Sequence, residues 1–252
     1  MKKYILNKNI YRLLGIALFF VCWQLLSLLI GEDTFILPGP IKTIGEAFKM
    51  LGSSYIYKCL FQTLLRMLCG FILSFIIAFI LGVLSGNSEK IEETLKPTMT
   101  ILRSIPTATL VYLFLVIAGA RLTPLFIVVL VSFPIIYESV VGGIKSTPKV
   151  LLEASQIDAS NIINQNIRIR IPLAMPYIVV GIASSFGLSL KIEIMAEVIT
   201  GYTRLGLGSA ILAAQRSDPT NMVPIFAYSF VAIVVMLVFD LLSNAIKKKY
   251  SH

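Results

Sequence analysis

Among the hydrogen-bonding and charged side chains inside strongly apolar stretches of this 252-residue chain, five are the first candidates for chemistry. They are Gln62, Arg66, Lys191, Glu193 and Glu197. An ionisable group in hydrocarbon is costly unless it has a partner or a function. A cation there would suit an anionic substrate, so these residues are candidates for lining a path through an apolar environment.

Arg66 has two interpretations. Gln62 lies four residues before it on the same helix face, with Thr63 beside it, which suits a polar stripe along a pore. Alternatively, Arg66 lies near the outer end of its apolar stretch and snorkels to the interface, or pairs with a carboxylate for packing. We favour this second interpretation.

The group around residue 193 is also open to two interpretations. Lys191 and Glu193 are two residues apart, so they point to different faces of a helix and are not expected to pair with each other. Glu197 is four residues from Glu193, and two carboxylates on one stripe would need a cation or water. The group either lines a pore or lies at the outer interface, if the apolar stretch ends earlier.

Enzymatic and metal chemistry find little support in the sequence. The one histidine is the terminal His252, and Cys22, Cys59 and Cys69 show no CxxC spacing. An intramembrane enzyme would need a nucleophile–base pair or a metal cluster, and nothing in the sequence supports convergence of the carboxylates on such a site. We therefore predict no catalytic residues and no metal ligands.

The composition indicates the environment of the chain. Hydrophobic residues make up 57% of it and charged residues 14%, whereas a soluble domain averages about 25% charged residues. This predicts a polytopic membrane protein. The net charge of +9 comes from basic residues in short segments between apolar runs, as in cytoplasmic loops beside anionic lipid. No domain is left over for nucleic acid to bind.

The apolar runs predict an all-α protein with six transmembrane helices, since a helical span needs about 20 mostly apolar residues. The predicted spans are residues 11–30, 59–84, 98–118, 122–142, 171–196 and 222–245. The third and fourth are separated only by "GARLT", which predicts a tight hairpin. Glu138 near the inner end of the fourth span and Asp240 within the sixth have Lys145 and Lys247 as candidate partners.

The distribution of Lys and Arg predicts that both termini are cytoplasmic, because basic residues favour the inner side. On this topology 14 basic residues lie inside and 6 outside. The inside residues are Lys2, Lys3, Lys8, Arg12, Lys90, Lys96, Arg103, Lys145, Lys149, Arg168, Arg170, Lys247, Lys248 and Lys249. The outside residues are Lys42, Lys49, Lys58, Arg121, Arg204 and Arg216.

Two of the outside segments have internal order. Leu37-Pro38-Gly39-Pro40 predicts a rigid turn, and the amphipathic run after it predicts a helix along the outer interface. The glycine-rich "TGYTRLGLG" and the mildly apolar "SAILAAQ" after it predict a short re-entrant or interfacial helix.

Residues 147–172 lie on the predicted cytoplasmic side and are too polar for hydrocarbon. Thr147-Pro148 is typical of a helix start, "KVLLEASQI" predicts a short helix, and "DASN" predicts a turn. "IINQNIRIR" predicts a second helix leading to Pro172. The exposed apolar face of this helix–turn–helix would need a partner; the alternative is a solvated loop that packs on the chain's own spans.

This segment resembles the EAA loop of ABC-importer permeases: Glu-Ala-Ala, three residues, Gly, nine residues and Ile-x-Leu-Pro. The spacing matches throughout. The matching positions are Glu153, Ala154, Ser155, Ala159, Ile169, Ile171 and Pro172. Three identities depart, namely Ser155 for Ala, Ala159 for Gly and Ile171 for Leu. Because alanine does not reach positive φ as glycine does, the turn at Ala159 is expected to be built differently.

The resemblance extends from about residue 60 to 245. "TLLRMLCGFILSFIIAFILGVLSG", "KPTMTILRSIPTATLVYLFLVIAG", "IPLAMPYIVVGI" and "AEVITGYTRLGLG" resemble, in order and spacing, segments of permeases for nitrate, sulfonate, taurine, bicarbonate and vitamin precursors. The resemblance implies one transmembrane domain over residues 11–246, a cytoplasmic N-terminus over 1–10 and a basic tail over 247–252. It places the chain in the cytoplasmic membrane of a bacterium.

The resemblance also implies a mechanism. Two permease copies, as a homodimer in the lipid bilayer, would form a translocation path lined by the five polar residues. Each copy would dock an ABC ATPase through the EAA-like residues, with Glu153 orienting the loop and Arg168 and Arg170 holding it at the lipid surface or ATPase rim.

A substrate-binding protein would deliver the solute from outside. The sequence has no Gly-rich loop with Lys-Ser or Lys-Thr, so ATP and magnesium are expected on the partner, and no cofactor on this chain. The alternative is a secondary transporter or channel without ATPase coupling. It is less favoured, because no internal repeat is visible and a dedicated cytoplasmic helical loop would have no role in it.

Overall fold

The computed structural model describes residues 2–31, 36–148, 150–153, 161–201 and 205–250, and every extended regular element within them is helical. The predicted all-α class is confirmed. The helices are α1 Lys2–Leu29, α2 Pro40–Leu51, α3 Ser54–Asn87, α4 Glu89–Ser104, α5 Thr107–Lys145, α6 Ile162–Gln165, α7 Ile171–Thr200, α8 Leu207–Ser217 and α9 Val223–Tyr250. A π-helical turn, Asn166–Arg170, joins α6 to α7.

Five helices in the described part of the chain are long and apolar enough to cross a membrane. They are Ile10–Leu29, Ser54–Asn87, Thr107–Lys145, Ile162–Thr200 and Val223–Ala245. The predicted count of six is therefore not confirmed. The difference arises at the predicted third and fourth spans: a break at residues 105–106 sets α4 apart, and α5 consists of two helical parts that meet at the non-helical residue Gly119.

The helix α5 reverses direction at Gly119. This residue has φ 74° and ψ 163°, a conformation that glycine adopts without a Cβ penalty. The ring centroids of Phe114 and Phe126 are 5.6 Å apart, whereas twelve residues of straight helix would separate them by about 18 Å. An ion pair between Arg103 and Glu138 also requires antiparallel arms. We call residues 107–118 and 120–145 the first and second arms; the reversal lies within the "GARLT" segment.

Close helix contacts organise residues 59–209 and 234–252, which form one compact unit. The second arm packs on α3 where three glycines face it. A Cβ on Gly82 would lie 2.7 Å from the Val140 Cβ, and one on Gly86 would lie 2.6 Å from the Ile144 Cβ. At Gly70 the nearest atom, a backbone oxygen, would be 2.9 Å away. Small residues let helices approach closely where lipid supplies no hydrophobic drive for association.

The same arm packs on α7. A Cβ on Gly143 would lie 2.8 Å from the Ala174 Cβ, and the Ser132 and Ser189 hydroxyls are 2.7 Å apart. The two packing surfaces together make α3, the second arm and α7 a tightly packed core that carries the polar residues of the site.

Residues 1–58 and 210–233 form a second compact unit. The Trp23 indole N–H donates to the Pro38 carbonyl at 3.1 Å, and the Ser27 hydroxyl donates to the Leu37 carbonyl at 2.9 Å. These bonds tie the predicted rigid turn to α1. Pro40 then opens α2, whose exposed side includes Ile41 and Phe48, so the amphipathic helix predicted after the turn is present.

The predicted helix–turn–helix over 147–172 is described only at its two sides. Residues 150–153 are helical, while Ala154, Ser155 and Ala159 lie outside the described residues. The second helix does not end at Pro172 but continues into α7. Proline removes a backbone donor and its ring crowds the carbonyl four residues earlier; the wider π-helical turn directly before it accommodates that loss.

Candidate functional site

Two helices of the core bring three of the five predicted polar residues together. Thr63 and Arg66 are three residues apart on α3, and Glu193 and Glu197 are four apart on α7, so each pair lies on one helix face. Both carboxylate side chains are 0% exposed, and the Arg66 side chain is 20% exposed. We call these four residues the buried ion cluster.

Glu197 is the best-satisfied member of the cluster. Its carboxylate accepts hydrogen bonds from the Thr63 hydroxyl, at 2.9 and 3.0 Å to its two oxygens, and from Arg66 Nη2. The backbone N–H of Gly208 donates to Oε2 at 2.9 Å. Charge-assisted hydrogen bonds of this kind are roughly twice as strong as neutral ones, so Glu197 is the anchor of the site.

Backbone groups from residues 205–208, which we call the Gly loop, complete the cluster. Arg66 Nη2 donates to the Leu205 carbonyl at 2.7 Å, and the Leu207 N–H donates to Thr63 Oγ1 at 2.8 Å. A Cβ on Gly206 would lie 2.6 Å from both Arg66 Nη2 and Glu197 Oε2. The loop therefore lies against the ion cluster at a distance that only glycine permits at this position.

Glu193 is the unsatisfied member of the cluster. Its Oε1 lies 3.4 Å from Arg66 Nε, and within the described residues neither of its oxygens accepts a hydrogen bond. One guanidinium thus faces two buried carboxylates. Of the two interpretations of Arg66, the structure has the one in which Arg66 pairs with carboxylates. Its positive charge is therefore not free to hold an anion.

The other two predicted residues do not join this cluster. Lys191 is exposed on a different face of α7 from Glu193, as the two-residue spacing predicts. Gln62 is half-buried on α3. The sequence did not single out Thr63 or the Gly loop backbone as ligands of Glu197, although Thr63 three residues before Arg66 and the Gly-Leu-Gly spacing are signals that fit this packing.

A second set of ion pairs connects α4 to the end of the second arm. Arg103 pairs with Glu138, and Glu92 pairs with Lys145. Glu138 is therefore paired with Arg103, which corrects the expectation of Lys145 or Lys247 as its partner; packing of α4 along the second arm brings Arg103 closer. We call these four residues the charged end.

The charged end borders a cavity of about 310 Å³ that Tyr137 and Lys96 help to line. On α4 the Glu93 carboxylate accepts a hydrogen bond from Lys96 Nζ at 2.9 Å and raises the pKa of that amine above its ordinary value. These pairs are much more accessible to solvent than the ion cluster, with side-chain exposures of 52% for Arg103 and 45% for Glu138.

The described residues of the EAA-like segment lie beside the charged end in the chain. Glu153 and Pro172 are exposed, and Ile169 and Ile171 are half-buried. Ile162, Ile163 and Ile167 are exposed as well, as are Val150 and Leu151 on the other side of the segment. The three isoleucines lie at the start of the apolar helical stretch Ile162–Thr200, and Val150 and Leu151 precede it in the chain.

Comparison with known proteins agrees with this architecture. The family described as "Binding-protein-dependent transport system inner membrane component" matches residues 70–252. The chain is 31% identical to a riboflavin transport system permease protein of Chloroflexus aurantiacus, covering 90% of this chain and 82% of that protein. It is 24% identical to a putative aliphatic sulfonates transport permease protein of Bacillus subtilis, over 91% and 80%.

A solved structure has a similar fold. An amino acid ABC transporter crystallised with histidines superposes with a TM-score of 0.65, covering 80% of this chain and 97% of that one, at 17% identity. At that identity the similarity concerns the fold alone.

Proposed function

Since the chain belongs to the family of binding-protein-dependent transport system inner membrane components, we propose that it is the ABC-importer subunit through which a small solute crosses the membrane, driven by a separate ATPase. The family match over residues 70–252 carries this proposal. The chain contributes the path and the coupling segment, and the partner subunit uses ATP and magnesium. An extracytoplasmic binding protein delivers the solute.

The proposed orientation has both termini in the cytoplasm; the reversal at Gly119 lets α5 enter and leave on one side, so the other four candidate spans return the chain to the side where it began. It rests on the excess of Lys and Arg in the segments that would lie inside. It puts the charged end and the EAA-like segment on one side, where the exposed isoleucines of residues 162–167 meet water rather than lipid. A fluorescent protein fused at the C-terminus should fluoresce, and alkaline phosphatase inserted after Pro219 should be active; the reverse pattern would invert the topology.

The ATPase is proposed to dock on the EAA-like segment. Val150 is 73% exposed and Ile163 61%, and a partner that covers them would gain roughly 25 cal/mol for each Å² of apolar surface buried. Glu153 follows Val150 by three residues in the same short helical stretch and is exposed. Docking is therefore expected to use apolar contacts, with Glu153 setting the orientation.

Co-purification tests the docking site. Glu153→Arg should lose the ATPase subunit that the parent protein retains. Glu46→Arg is the matched control, because Glu46 is a carboxylate on α2, in the segment proposed to lie outside. Full ATPase retention by Glu153→Arg, or an equal loss in Glu46→Arg, would contradict the assigned role of the segment.

For the solute, the geometry favours a neutral vitamin-type molecule over an inorganic anion. Arg66, the cation that suggested an anion, is already balanced by two carboxylates. The relative that is 31% identical is a riboflavin permease. An anion such as a sulfonate or nitrate would have to rely on the exposed Lys191 instead.

Thermal-shift screening of the binding protein that co-purifies with the complex tests the solute class. Stabilisation by a flavin or a related heterocycle, with none by sulfonates or nitrate, is the expected result. Stabilisation by sulfonates or nitrate alone would instead favour an anionic solute.

Two copies of the chain are proposed to form the complete path. Each copy would contribute one wall, and the translocation path would lie between the copies. Co-expression of two differently tagged copies should let either tag retrieve the other in detergent. Retrieval of only the tagged copy would contradict the homodimer.

A further inference from the structure

Most of α7 exposes a single face. Between residues 176 and 200 the exposed side chains are Tyr177, Val180, Ser184, Leu188 and Lys191, and the others are buried or half-buried. Steps of three and four residues follow one side of an α-helix. We call these five residues the α7 stripe. Because an ionisable group in a membrane-spanning helix faces the bundle interior or a water-filled cavity, the stripe with its lysine is expected to face the translocation path.

A carboxylate from α9 borders this stripe. A Cβ on Gly187 would lie 2.8 Å from Asp240 Oδ1. Gly187 lies about 24 Å along α7 from Ile171 and about 20 Å from Thr200, which places this contact near the middle of the span. Asp240 is exposed there, so its charge lies at mid-depth of the membrane rather than at either surface.

The side chains of Lys191 and Asp240 lean toward each other. Lys191 lies one turn beyond Gly187 and about 40° away around the helix. The helices α7 and α9 run in opposite directions, because the 11-residue α8 between them is too short for a crossing that needs about 20 residues. Side chains tilt toward the N-terminus of their own helix, so the ammonium and the carboxylate approach each other across the Gly187 contact.

The chain itself does not use these two charges. Within the described residues neither Lys191 nor Asp240 forms an ion pair, with each other or with a third group, and both are exposed. Ionisable groups in a span are costly and are retained for a function. An ammonium and a carboxylate side by side on the α7 stripe are therefore available to a ligand.

The pair of charges selects one kind of ligand. An ammonium only donates hydrogen bonds and a carboxylate only accepts them. An inorganic anion offers acceptors alone and would be repelled by Asp240, and a simple cation would be repelled by Lys191. The edge of an amide or imide offers a carbonyl beside an N–H and is neutral, so it matches both groups.

We propose that Lys191 and Asp240 form a binding site for the solute on the translocation path, and that this site takes a neutral heterocycle with an amide or imide edge. Lys191 donates to the carbonyl and Asp240 accepts from the N–H. The class of solute rests on the proposed function, whereas the juxtaposition of the two groups does not.

Uptake of riboflavin tests this site in the full complex. The chain with its ATPase and binding protein is placed in liposomes. Lys191→Met and Asp240→Ala should each lower uptake about tenfold, the loss expected when a hydrogen bond to a charged group is removed. The unfolding temperature and ATPase retention should stay at the parent's values. Glu89→Ala and Lys90→Met are matched controls, since both change exposed charges of α4 outside the candidate spans, and they should leave uptake unchanged.

A second solute separates contact from a structural role. The N3-methyl derivative of riboflavin lacks the imide N–H. Its disadvantage against riboflavin should be about tenfold smaller in Asp240→Ala than in the parent, because the acceptor for that N–H is gone. The same binding protein delivers both solutes to both permeases, so a change in this ratio arises in the permease.

Cross-linking tests the juxtaposition without transport. After the three free cysteines are replaced, a short bis-maleimide should join Lys191→Cys to Asp240→Cys, as measured by mass spectrometry of the linked peptides. Leu242→Cys is the matched control in place of Asp240→Cys, because Leu242 is exposed on the opposite side of α9, and it should not be joined.

Uptake at the parent's rate in both Lys191→Met and Asp240→Ala would overturn the binding role, and so would an unchanged ratio of the two solutes in Asp240→Ala. If the parent takes up no riboflavin, the proposed class of solute fails, while cross-linking still decides on the site. Equal cross-linking at Leu242→Cys would overturn the site itself.

Discussion

The buried ion cluster and the charged end use the same chemistry in two surroundings. Each joins helices through Arg or Lys and a carboxylate, yet the cluster's carboxylates are fully buried, whereas at the charged end the side chains of Glu92 and Glu138 are 20% and 45% exposed. In water an ion pair contributes about 0–1 kcal/mol. Breaking a buried pair by removing one partner costs about 3–5 kcal/mol, because the other charge remains uncompensated.

The ion cluster also differs from the charged end in the groups that its side chains bind. Its ligands include the backbone of the Gly loop, whereas the pairs of the charged end join side chains of α4 and α5. Loss of a cluster residue should therefore affect both stability and loop position, while loss of a charged-end residue should affect neither strongly. The following changes test that contrast in order of expected effect.

The largest effect is expected for Glu197→Ala. It removes the acceptor of Thr63, Arg66 and Gly208 together and leaves the Arg66 charge with only the weak contact to Glu193. We expect the free energy of unfolding to fall by about 3–5 kcal/mol. Thermal unfolding of the detergent-purified protein measures this. Glu138→Ala is the control at the charged end, and an equal loss of stability in both variants would abolish the contrast.

The second largest loss of stability is expected when a side chain is added at Gly208, which packs against the ion cluster. Gly208→Ala puts a Cβ 2.6 Å from the Glu197 Cβ and against the Ile194 carbonyl, so it should destabilise the protein by about 1–3 kcal/mol. Gly142→Ala is the matched control, because a Cβ there meets nothing within 4 Å. The same unfolding assay should show little or no loss for Gly142→Ala. A wild-type stability for Gly208→Ala would mean that the loop yields easily.

The next largest loss of stability is expected when the Thr63 hydroxyl is removed. Thr63→Val keeps the shape but leaves the Leu207 N–H without its acceptor and Glu197 without one donor, at a cost of about 1–3 kcal/mol. Thr100→Val is the comparison, since that exposed hydroxyl bonds only to the Lys96 carbonyl of its own helix. Hydrogen exchange at Leu207 should rise in Thr63→Val and stay unchanged in Thr100→Val; equal rates would remove Thr63 from the cluster.

The sequence predicted the helices and the polar stripe on α7 better than it predicted which residues contact one another. Apolar runs located the long helices, and the "GARLT" segment located the reversal at Gly119, because both depend on local composition. The spacing of Glu193 and Glu197 correctly put two carboxylates on one stripe that needs a cation. Which cation supplies it depends on the packing of α3 on α7, and no local pattern encodes a contact between residues 131 positions apart.

Two further features of the structure could not be predicted from the local sequence. Pro172 is typical of a helix end, yet the π-helical turn before it keeps the backbone helical into α7. The Arg103–Glu138 pair required knowing that α4 runs along the second arm, which the separate spans did not indicate. The first feature depends on a local change of helix type and the second on a contact between residues distant in the chain.

The smallest effect is expected at the charged end, and a double-mutant cycle measures it best. Arg103→Gln and Glu138→Gln each remove one partner, and the coupling between them should be no more than about 1 kcal/mol, since both side chains are about half exposed. Raising the salt concentration should reduce that coupling further, because exposed charges are screened. A coupling of several kcal/mol that persists in high salt would mean that the charged end is as well shielded from water as the ion cluster. The two regions would then differ only in the contacts of the Gly loop.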